Sequence, residues 1–294
     1  MRSNRSHSRG GRAIRSKIEY KTPRQISYMR EAGLIVAAIH DALREAAQPG
    51  AVLRDLDACA AEVIAAHDAR SNFLGYYGYP ASVCISVNDT VVHGIPDDTT
   101  LREGDLVSFD CGAYIERDGQ QWHGDACLSV LVGGKRAASR DAIALDAVTN
   151  EAMWAGVASL ASGKTVACVG DAVETVVEEQ AASIGFEAGI VEEFIGHGIG
   201  TAMHQEPDIL NFRARGRQPK IKPGMVVCVE PILTRGSNEV VTLEDQWTVK
   251  TCDHQLACHW EHEVAILDDG ISVLTAPDCG VAELARFGVT PVAL

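Results

Sequence analysis

The residues best suited to chemistry lie in residues 194–207, which place His197 and His204 seven positions apart. His197 stands in the run Gly-His-Gly-Ile-Gly, where small residues let the backbone approach a bound group closely. Glycine, proline and histidine at this density do not favour a packed helix. We therefore interpret this segment as a site-forming loop, although a single histidine is more often structural than a ligand.

Four carboxylates elsewhere in the chain favour a ligand role for His197. They are Asp110, Asp125, Glu230 and Glu261. Carboxylate oxygens with one imidazole suit two divalent cations about 3.5–4 Å apart, which share bridging carboxylates and an activated water. An oxygen-rich ligand set favours Mn, Fe or Co and does not exclude Zn. The residue types thus predict a two-metal hydrolytic site.

A second cluster of metal-ligating residue types is the alternative, formed by Cys252, His254, Cys258 and His259. Its spacing matches no standard zinc knuckle, so it is the weaker candidate. The nine cysteines include no Cys-x-x-Cys pair. Such scattered thiols are typical of a reduced, cytosolic protein rather than of a disulfide framework.

The elements that would position these residues follow from the hydrophobic pattern. Thr22 is the predicted N-cap, and Pro23 the first residue, of a helix that ends before Gln48-Pro49-Gly50. The other predicted helices cover residues 53–69, 139–161 and 169–184. The predicted strands are residues 82–87, 106–110, 123–132, 225–230, 243–250 and 261–267. Asp110 and Asp125 are therefore expected near the facing ends of one hairpin.

The two halves of the chain share one order of elements: helix, glycine break, helix, loop and strand pair. The run REGDLVSFD in the first half parallels KPGMVVCVE in the second, and a carboxylate ends each predicted strand. If the halves pack as one sheet, the acids of both halves meet at its centre. The alternative is a coincidence of the common α/β rhythm.

Charge and composition restrict the class of protein. The chain of 294 residues is 46% apolar, with no apolar run near the roughly 20 residues of a membrane span and no secretory signal. Residues 1–17 contribute +6 to a net charge of −14, so the remainder carries −20. An acidic body argues against binding nucleic acid and suits metal cations or a free amine. Residues 1–17 are expected to be a disordered tail or a basic arm that contacts RNA on a ribosome, and both can hold.

Seven runs, in order along the chain, resemble the signature segments of type I methionine aminopeptidases (methionyl aminopeptidases of peptidase family M24). They are YPASVCISVNDTVVHGIP, LVSFDCG, HGDACLSV, GHGIGTAMHQEP, MVVCVEP, DQWTVKT and WEHEVAIL. The resemblance covers nearly everything after residue 18. It implies an α/β pita-bread fold of the creatinase/aminopeptidase type, with a pseudo-twofold internal repeat, over residues 18–294.

The resemblance also assigns a role to each metal-binding candidate. Asp110 would chelate one ion, Asp125 and Glu261 would bridge, and His197 with Glu230 would complete the second site. The implied cofactors are two divalent ions, either Co, Mn, Fe or Zn. Glu230 would also be the general base, and a metal-activated hydroxide would attack the first peptide bond.

Further residues would bind the substrate. The resemblance implies that His204 stabilises the tetrahedral intermediate and that His93 contacts the scissile amide or the departing amine. The methionine pocket would consist of Phe73, Tyr76, Tyr79, Cys84, Met203 and Trp247. Apolar and polarisable side chains suit a flexible thioether. Many bacterial relatives have cysteine at position 73 and phenylalanine at position 203, so in this chain the larger side chain is at position 73 and the smaller at position 203. The segment 115–121 also looks longer than is usual in the family.

The implied function is removal of the initiator methionine from nascent chains with a small second residue, by a cytoplasmic monomer. One alternative is a prolidase or aminopeptidase P, which resembles the catalytic half but usually carries an extra N-terminal domain that residues 1–20 cannot supply. The other is a non-enzymatic binding protein tied to RNA through the basic arm. Such relatives typically lose metal ligands, whereas every ligand position here holds a suitable side chain.

Overall fold

The computed structural model describes residues 17–294, so the expectations for residues 1–17 fall, apart from Lys17, outside the described residues. The α-helices are Pro23–Ala46 (α1), Leu53–Ala66 (α2), Arg140–Ser159 (α3), Ala167–Ile184 (α4) and Val281–Leu284 (α5). Short 3₁₀ turns lie at Tyr76–Gly78 and Ala285–Phe287. In the described part of the chain, no helix is long and apolar enough to cross a membrane.

Fifteen strands accompany these helices within residues 17–294. They are Arg70–Ser71 (β1), Cys84–Val87 (β2), Thr90–Val92 (β3), Leu106–Arg117 (β4), Gln120–Leu131 (β5), Ala188–Ile190 (β6), Gly196–Gly198 (β7), Gln205–Ile209 (β8), Val226–Val229 (β9), Ile232–Arg235 (β10), Val240–Thr242 (β11), Val249–Thr251 (β12), Ala257–His259 (β13), His262–Leu267 (β14) and Gly270–Val273 (β15).

The strands form four antiparallel sheets. The first has the order β1-β4-β2, with β5 also paired to β4, and the second has the order β15-β14-β9-β7-β8. Two three-stranded sheets, β13-β10-β6 and β11-β12-β3, flank them. Cys127 of β5 and Glu261 exchange backbone hydrogen bonds of 3.3 and 2.8 Å, so the first and second sheets join at this point.

Each half of the chain packs a helix pair on its own strands. Helix α1 lies across β4 and β5 and beside α2, whereas α3 lies beside α4 and against β9 and β13. The first core contains Met29, Phe109 and Trp122, and the second contains Val169 and Val264. This arrangement is the predicted α/β fold, with helix pairs and sheets repeated in the two halves.

The start of α1 agrees with the sequence prediction. Thr22 caps the helix by accepting a hydrogen bond from the backbone N–H of Gln25, and the side chain of Gln25 accepts one from the N–H of Thr22 at 2.8 Å. Pro23 occupies the first turn, where its missing N–H has no cost. Helix α2 ends at Ala66 rather than at residue 69.

The predicted position of the aspartates in their hairpin is wrong. Strand β4 continues past Asp110 to Arg117, and Gly112 rather than Asp110 lies opposite Asp125. The two aspartates therefore sit in the middle of a long hairpin, diagonal to each other. The reason is that buried apolar residues continue beyond Asp110, including Ile115 and Trp122, and extend the ladder to the turn at residues 118–119.

The strand predicted over residues 243–250 is also wrong. Strand β11 ends at Thr242 and β12 begins at Val249. Between them Asp245 accepts hydrogen bonds from the backbone N–H groups of Trp247 and Thr248, at 2.9 and 2.8 Å. This local side-chain acceptor favours a turn over an extended strand.

Arg30 fastens α1 to the far end of the second sheet. Its Nη1 donates hydrogen bonds to the carbonyl oxygens of Leu274 and Ala276, at 2.7 and 2.6 Å, and its Nη2 donates to Pro277 at 2.8 Å. The residue is 8% exposed. A turn later, a Cβ on Gly33 would lie 2.4 Å from the Leu274 carbonyl oxygen, so α1 approaches this backbone as closely as glycine permits.

Replacing Arg30 by methionine should lower the free energy of unfolding by about 2–4 kcal/mol, because several buried carbonyl oxygens lose their donor. Arg44→Met is the matched control: Arg44 is on the same helix but pairs with Asp41 at the surface, so its loss should change stability by less than about 0.5 kcal/mol. Urea unfolding of both variants measures the difference. Equal effects from the two would contradict a docking role for Arg30.

Candidate active site

One cleft collects every residue that the sequence nominated for the site. A cavity of about 280 Å³ is lined by Phe73, Tyr76, Tyr79, Cys84, His93, Asp110, Asp125, His197, Met203, His204, Glu230, Trp247 and Glu261. The same cavity is also lined by residues that the sequence did not assign to it, namely Tyr77, Val92, Phe194, Ile232 and His259. Of these, Phe194 lies in the predicted site-forming segment, and His259 was named only in the alternative cysteine–histidine cluster. Ile232 and His259 each lie two positions from a nominated glutamate and pair with each other across β10 and β13.

The acidic side chains of the cleft lie on strands or directly beside strand ends. Asp110 and Asp125 come from neighbouring positions of the β4–β5 hairpin. Glu230 directly follows β9, and Glu261 directly precedes β14, which pairs with β9. His197 lies in β7 on the other side of β9. Because these elements are hydrogen-bonded into sheets, the side chains are held by rigid backbone rather than by loops.

The donor atoms form two adjoining groups that share one glutamate. Donor atoms of Asp110, Asp125 and Glu261 all lie within 4.8 Å of one another, as do those of His197, Cys228 and Glu261. His197 Nε2 is also 3.4 Å from Glu230 Oε1. The geometry therefore offers two neighbouring ligand sets with Glu261 common to both.

Burial strongly disfavours the charged forms of these acids. Desolvation raises the pKa of Asp110 to about 7. It also raises the pKa values of Asp125, Glu230 and Glu261 well above their usual range, and repulsion from the neighbouring carboxylates adds to this effect. Desolvation lowers the pKa of His197 to about 3, so its imidazole is neutral and keeps a lone pair for a cation.

Several buried oxygens in this cluster have no hydrogen-bond partner within residues 17–294. They are Asp125 Oδ1, Glu230 Oε1 and Glu261 Oε1. Unpaired buried acceptors are costly unless a cation or a donor satisfies them. Oxygen donors with one neutral imidazole are a suitable environment for divalent transition metals. The residues therefore fit the metal ions that the sequence predicts.

Two further histidines border this cluster. The ring of His204 lies edge-on to that of His197, with centroids 4.3 Å apart, and its Nδ1 is 2.9 Å from the Tyr76 hydroxyl. His93 adopts a left-handed backbone conformation with φ of 56°. Desolvation lowers the pKa of His93 to about 4, so it is a neutral hydrogen-bonding group.

An apolar pocket adjoins the acidic cluster. Phe73, Tyr79, Cys84 and Met203 are buried together, and Trp247 packs against them. Rings of Tyr79 and Trp247 meet edge-on with centroids 5.1 Å apart. The Tyr79 hydroxyl donates to backbone carbonyls outside the pocket, so the pocket presents mainly carbon and sulfur.

The alternative cysteine–histidine cluster does not assemble. Cys252 is exposed, whereas Cys258 is buried against the hydroxyl of Ser129 at 3.3 Å. His254 lies 3.5 Å from a carboxylate oxygen of Asp89, and His259 lines the cleft. These four side chains therefore do not share one metal.

Residues 18–21, which we call the N-terminal strap, support the loop that carries His204. The Glu19 carboxylate accepts hydrogen bonds from the N–H and the hydroxyl of Thr201, both at 3.1 Å. Lys21 Nζ donates to Gln205 Oε1 at 3.3 Å. A Cβ on Gly200 would lie 2.3 Å from Lys21 Cε, so a larger residue there would require the strap side chains to move. Sequence reasoning missed the strap because its contacts span about 180 residues.

Comparison with known proteins gives concordant results. The chain matches the family described as metallopeptidase family M24 over residues 27–268. It is 44% identical over 262 residues to methionine aminopeptidase 1 of Mycobacterium tuberculosis, covering 89% of this chain and 96% of that protein. The solved structure of methionine aminopeptidase from Rickettsia prowazekii matches with a TM-score of 0.81 at 31% identity, covering 88% of this chain and 100% of that one. Prolidase from Pyrococcus furiosus matches with a TM-score of 0.65 at 19% identity, covering 87% of this chain and 65% of that one, a likeness that shows the fold alone.

Replacing Asp110 by asparagine should weaken divalent-metal binding by at least about tenfold, because one anionic ligand becomes neutral. The melting temperature of the metal-free protein should not fall, because the change also removes one buried, mutually repelling carboxyl group. Metal titration by calorimetry and thermal melts measure the two effects. Asp118→Asn, in the exposed hairpin turn, is the control; unchanged metal affinity in the Asp110 variant would contradict the ligand assignment.

Proposed function

The chain belongs to metallopeptidase family M24, and from this premise we propose that it is a methionine aminopeptidase. It is a metal-dependent hydrolase that removes the N-terminal methionine from peptides and nascent proteins. Its relatives named methionine aminopeptidase span nearly its whole length.

The observation that carries the proposal is an apolar pocket that opens onto a carboxylate cluster. Phe73, Tyr79, Cys84 and Met203 supply aromatic and sulfur surface, which suits the flexible, polarisable side chain of methionine. The ligand cluster beside it would receive the free amine of a peptide N-terminus. A substrate bound with its side chain in the pocket has its first peptide bond next to the ligand residues, which accounts for exopeptidase action.

Two divalent cations are the proposed cofactors, drawn from Co, Mn, Fe and Zn. Asp110, Asp125, His197, Glu230 and Glu261 would hold them. Two such ions carry +4, which balances the charge of the four carboxylates when all four are ionised. When bound, the ions supply Lewis-acid polarisation of the peptide carbonyl and lower the pKa of a water molecule to near neutrality.

Side chains of the cleft carry out the remaining steps of the hydrolysis. Glu230 accepts the proton of the attacking water and passes it toward the departing amine. His204 donates a hydrogen bond to the carbonyl oxygen as negative charge develops there. His93, held neutral by its surroundings, orients the scissile amide. We also propose that Phe73 and Met203 divide the volume of the pocket between them, so that methionine is still accepted.

The cellular setting is a further part of the proposal. The enzyme acts as a cytoplasmic monomer on chains whose second residue is small. Residues 1–17 would hold it near emerging chains by contacting ribosomal RNA, because six positive charges without an acid suit a phosphate backbone.

The decisive experiment measures amino acid release from Met-Ala-Ser and from Ala-Pro-Ala. The protein is stripped of metal and reloaded in turn with Mn, Co, Fe or Zn. Metal-dependent release of methionine from the first peptide alone is expected. Cleavage of the second peptide would instead indicate a prolidase-like or aminopeptidase P-like activity. If neither peptide is cleaved and the protein binds no metal, the result would indicate a binding protein.

Deleting residues 1–17 should leave kcat and KM on short peptides unchanged, because the N-terminal strap is retained. The same deletion should abolish co-sedimentation with ribosomes, which should itself fall steeply between about 50 and 200 mM salt. A full-length variant with Arg2, Arg5, Arg9, Arg12 and Arg15 changed to glutamine separates charge from length. Loss of turnover on short peptides would place this segment in the active site instead.

A further inference from the structure

Tyr76 makes a contact that a pocket wall does not need. Its hydroxyl lies 2.9 Å from Nδ1 of His204, although the rest of its ring faces the apolar pocket. Its backbone belongs to the short turn Tyr76–Gly78, next to the pocket residue Phe73. The side chain therefore joins the two functional parts of the cleft, the methionine pocket and the histidine beside the metal ligands.

The contact decides which nitrogen of His204 meets the substrate. His204 is accessible to solvent and lines the cleft, and its Nε2 has no hydrogen-bond partner among the described residues. Since Tyr76 occupies Nδ1, only Nε2 remains for a peptide in the cleft. A neutral imidazole carries its single proton on one nitrogen, and the partner of the other nitrogen selects which one.

The direction of this hydrogen bond follows from the partners. A phenol with an ordinary pKa near 10 keeps its proton at neutral pH. No other acceptor for the Tyr76 hydroxyl lies within hydrogen-bond distance in residues 17–294, so the O–H is free to donate to the Nδ1 lone pair. With the Tyr76 O–H donated to Nδ1, the single imidazole proton lies on Nε2, which can donate it to an acceptor in the cleft.

We propose that Tyr76 is a positioning residue: its hydroxyl donates to Nδ1 of His204 and fixes the tautomer whose Nε2–H points into the cleft. The proposal rests on the proposed function in one respect, namely that His204 stabilises a developing negative charge on the substrate carbonyl. Only the Nε2–H tautomer can donate to that oxygen. Tyr76 thereby contributes to the reaction without touching the scissile bond.

The tautomer can be observed directly by NMR. Protein with ¹⁵N-labelled histidine is loaded with diamagnetic Zn²⁺ at pH 8, and a two-bond proton–nitrogen spectrum shows which nitrogen of each ring is protonated. A His204→Asn variant identifies the His204 signals. We expect His204 to be protonated on Nε2, and we expect Tyr76→Phe to shift its Nδ1 signal and populate the second tautomer. Protonation on Nδ1 in the unmodified protein, or signals unchanged in Tyr76→Phe, would overturn the proposal.

Tyr77→Phe is the matched control for the spectrum. Tyr77 is the next residue, its ring packs 4.6 Å from that of Tyr76, and it is 85% exposed. Removing its hydroxyl should leave the His204 signals in place. A shift as large as that in Tyr76→Phe would show that the signals respond to any change in this turn, and would overturn the assignment to one hydrogen bond.

Kinetics separate positioning from pocket filling. Because the hydrogen bond is exposed to competing water, its loss should lower kcat on Met-Ala-Ser by roughly two- to tenfold. KM should stay within about twofold, because the phenylalanine ring still fills the pocket. A raised KM with unchanged kcat would mean that Tyr76 is only a pocket wall, and would overturn the proposal.

Failure of the proposed function is distinguishable from failure of this inference. If the unmodified protein releases no methionine, the function is wrong, yet the spectrum still reports whether Tyr76 fixes the His204 tautomer. If methionine is released but the tautomer is independent of Tyr76, only the inference is wrong. Thermal melts of Tyr76→Phe establish that the variant is folded.

Discussion

Mutual repulsion among the four carboxylates that converge in one cleft is the constraint on which the rest of the structure depends. Desolvation raises the pKa values of all four, and three of them hold an oxygen without a partner among residues 17–294, so their charged forms destabilise the fold unless cations or protons neutralise them. Two well-packed cores stabilise the chain against that cost. Sheet hydrogen bonds keep the acids from moving apart, so the ligand geometry exists before a metal arrives.

Contacts between the two halves fix their relative position at the point where the acids converge. The backbone bridge between Cys127 and Glu261 links β5 to the start of β14, and Asp125 lies two residues from that bridge. Arg30 holds α1, from the first half, to the carbonyl oxygens that follow β15. A shift of either half along the other would therefore break buried hydrogen bonds and separate the ligands at the same time.

Much of the site could be predicted from the sequence because the types of residue in a few short motifs indicate its chemistry. The carboxylates, the histidines and the pocket aromatics each occur in such a run, and all of them line one cleft. The extent of the strands was harder, since the alternation beyond Asp110 continued through a segment that looked like a loop. Contacts between distant segments, such as Glu19 with Thr201 or Tyr76 with His204, have no local signature. They depend on the packed fold, so only the structure reveals them.

The N-terminal strap has a consequence for the order in which the protein matures during synthesis. Lys21 donates its backbone N–H to the carbonyl oxygen of Gly224, and Glu19 binds Thr201, so the earliest described residues complete their contacts with partners made much later. At 5–20 residues per second, about 200 residues separate the strap from Gly224 by roughly 10–40 s of translation. Until then the strap lacks part of its contacts, and Glu261 has not been made. The active site is therefore a late product of translation, and the unfinished chain passes through most of its synthesis without a complete centre.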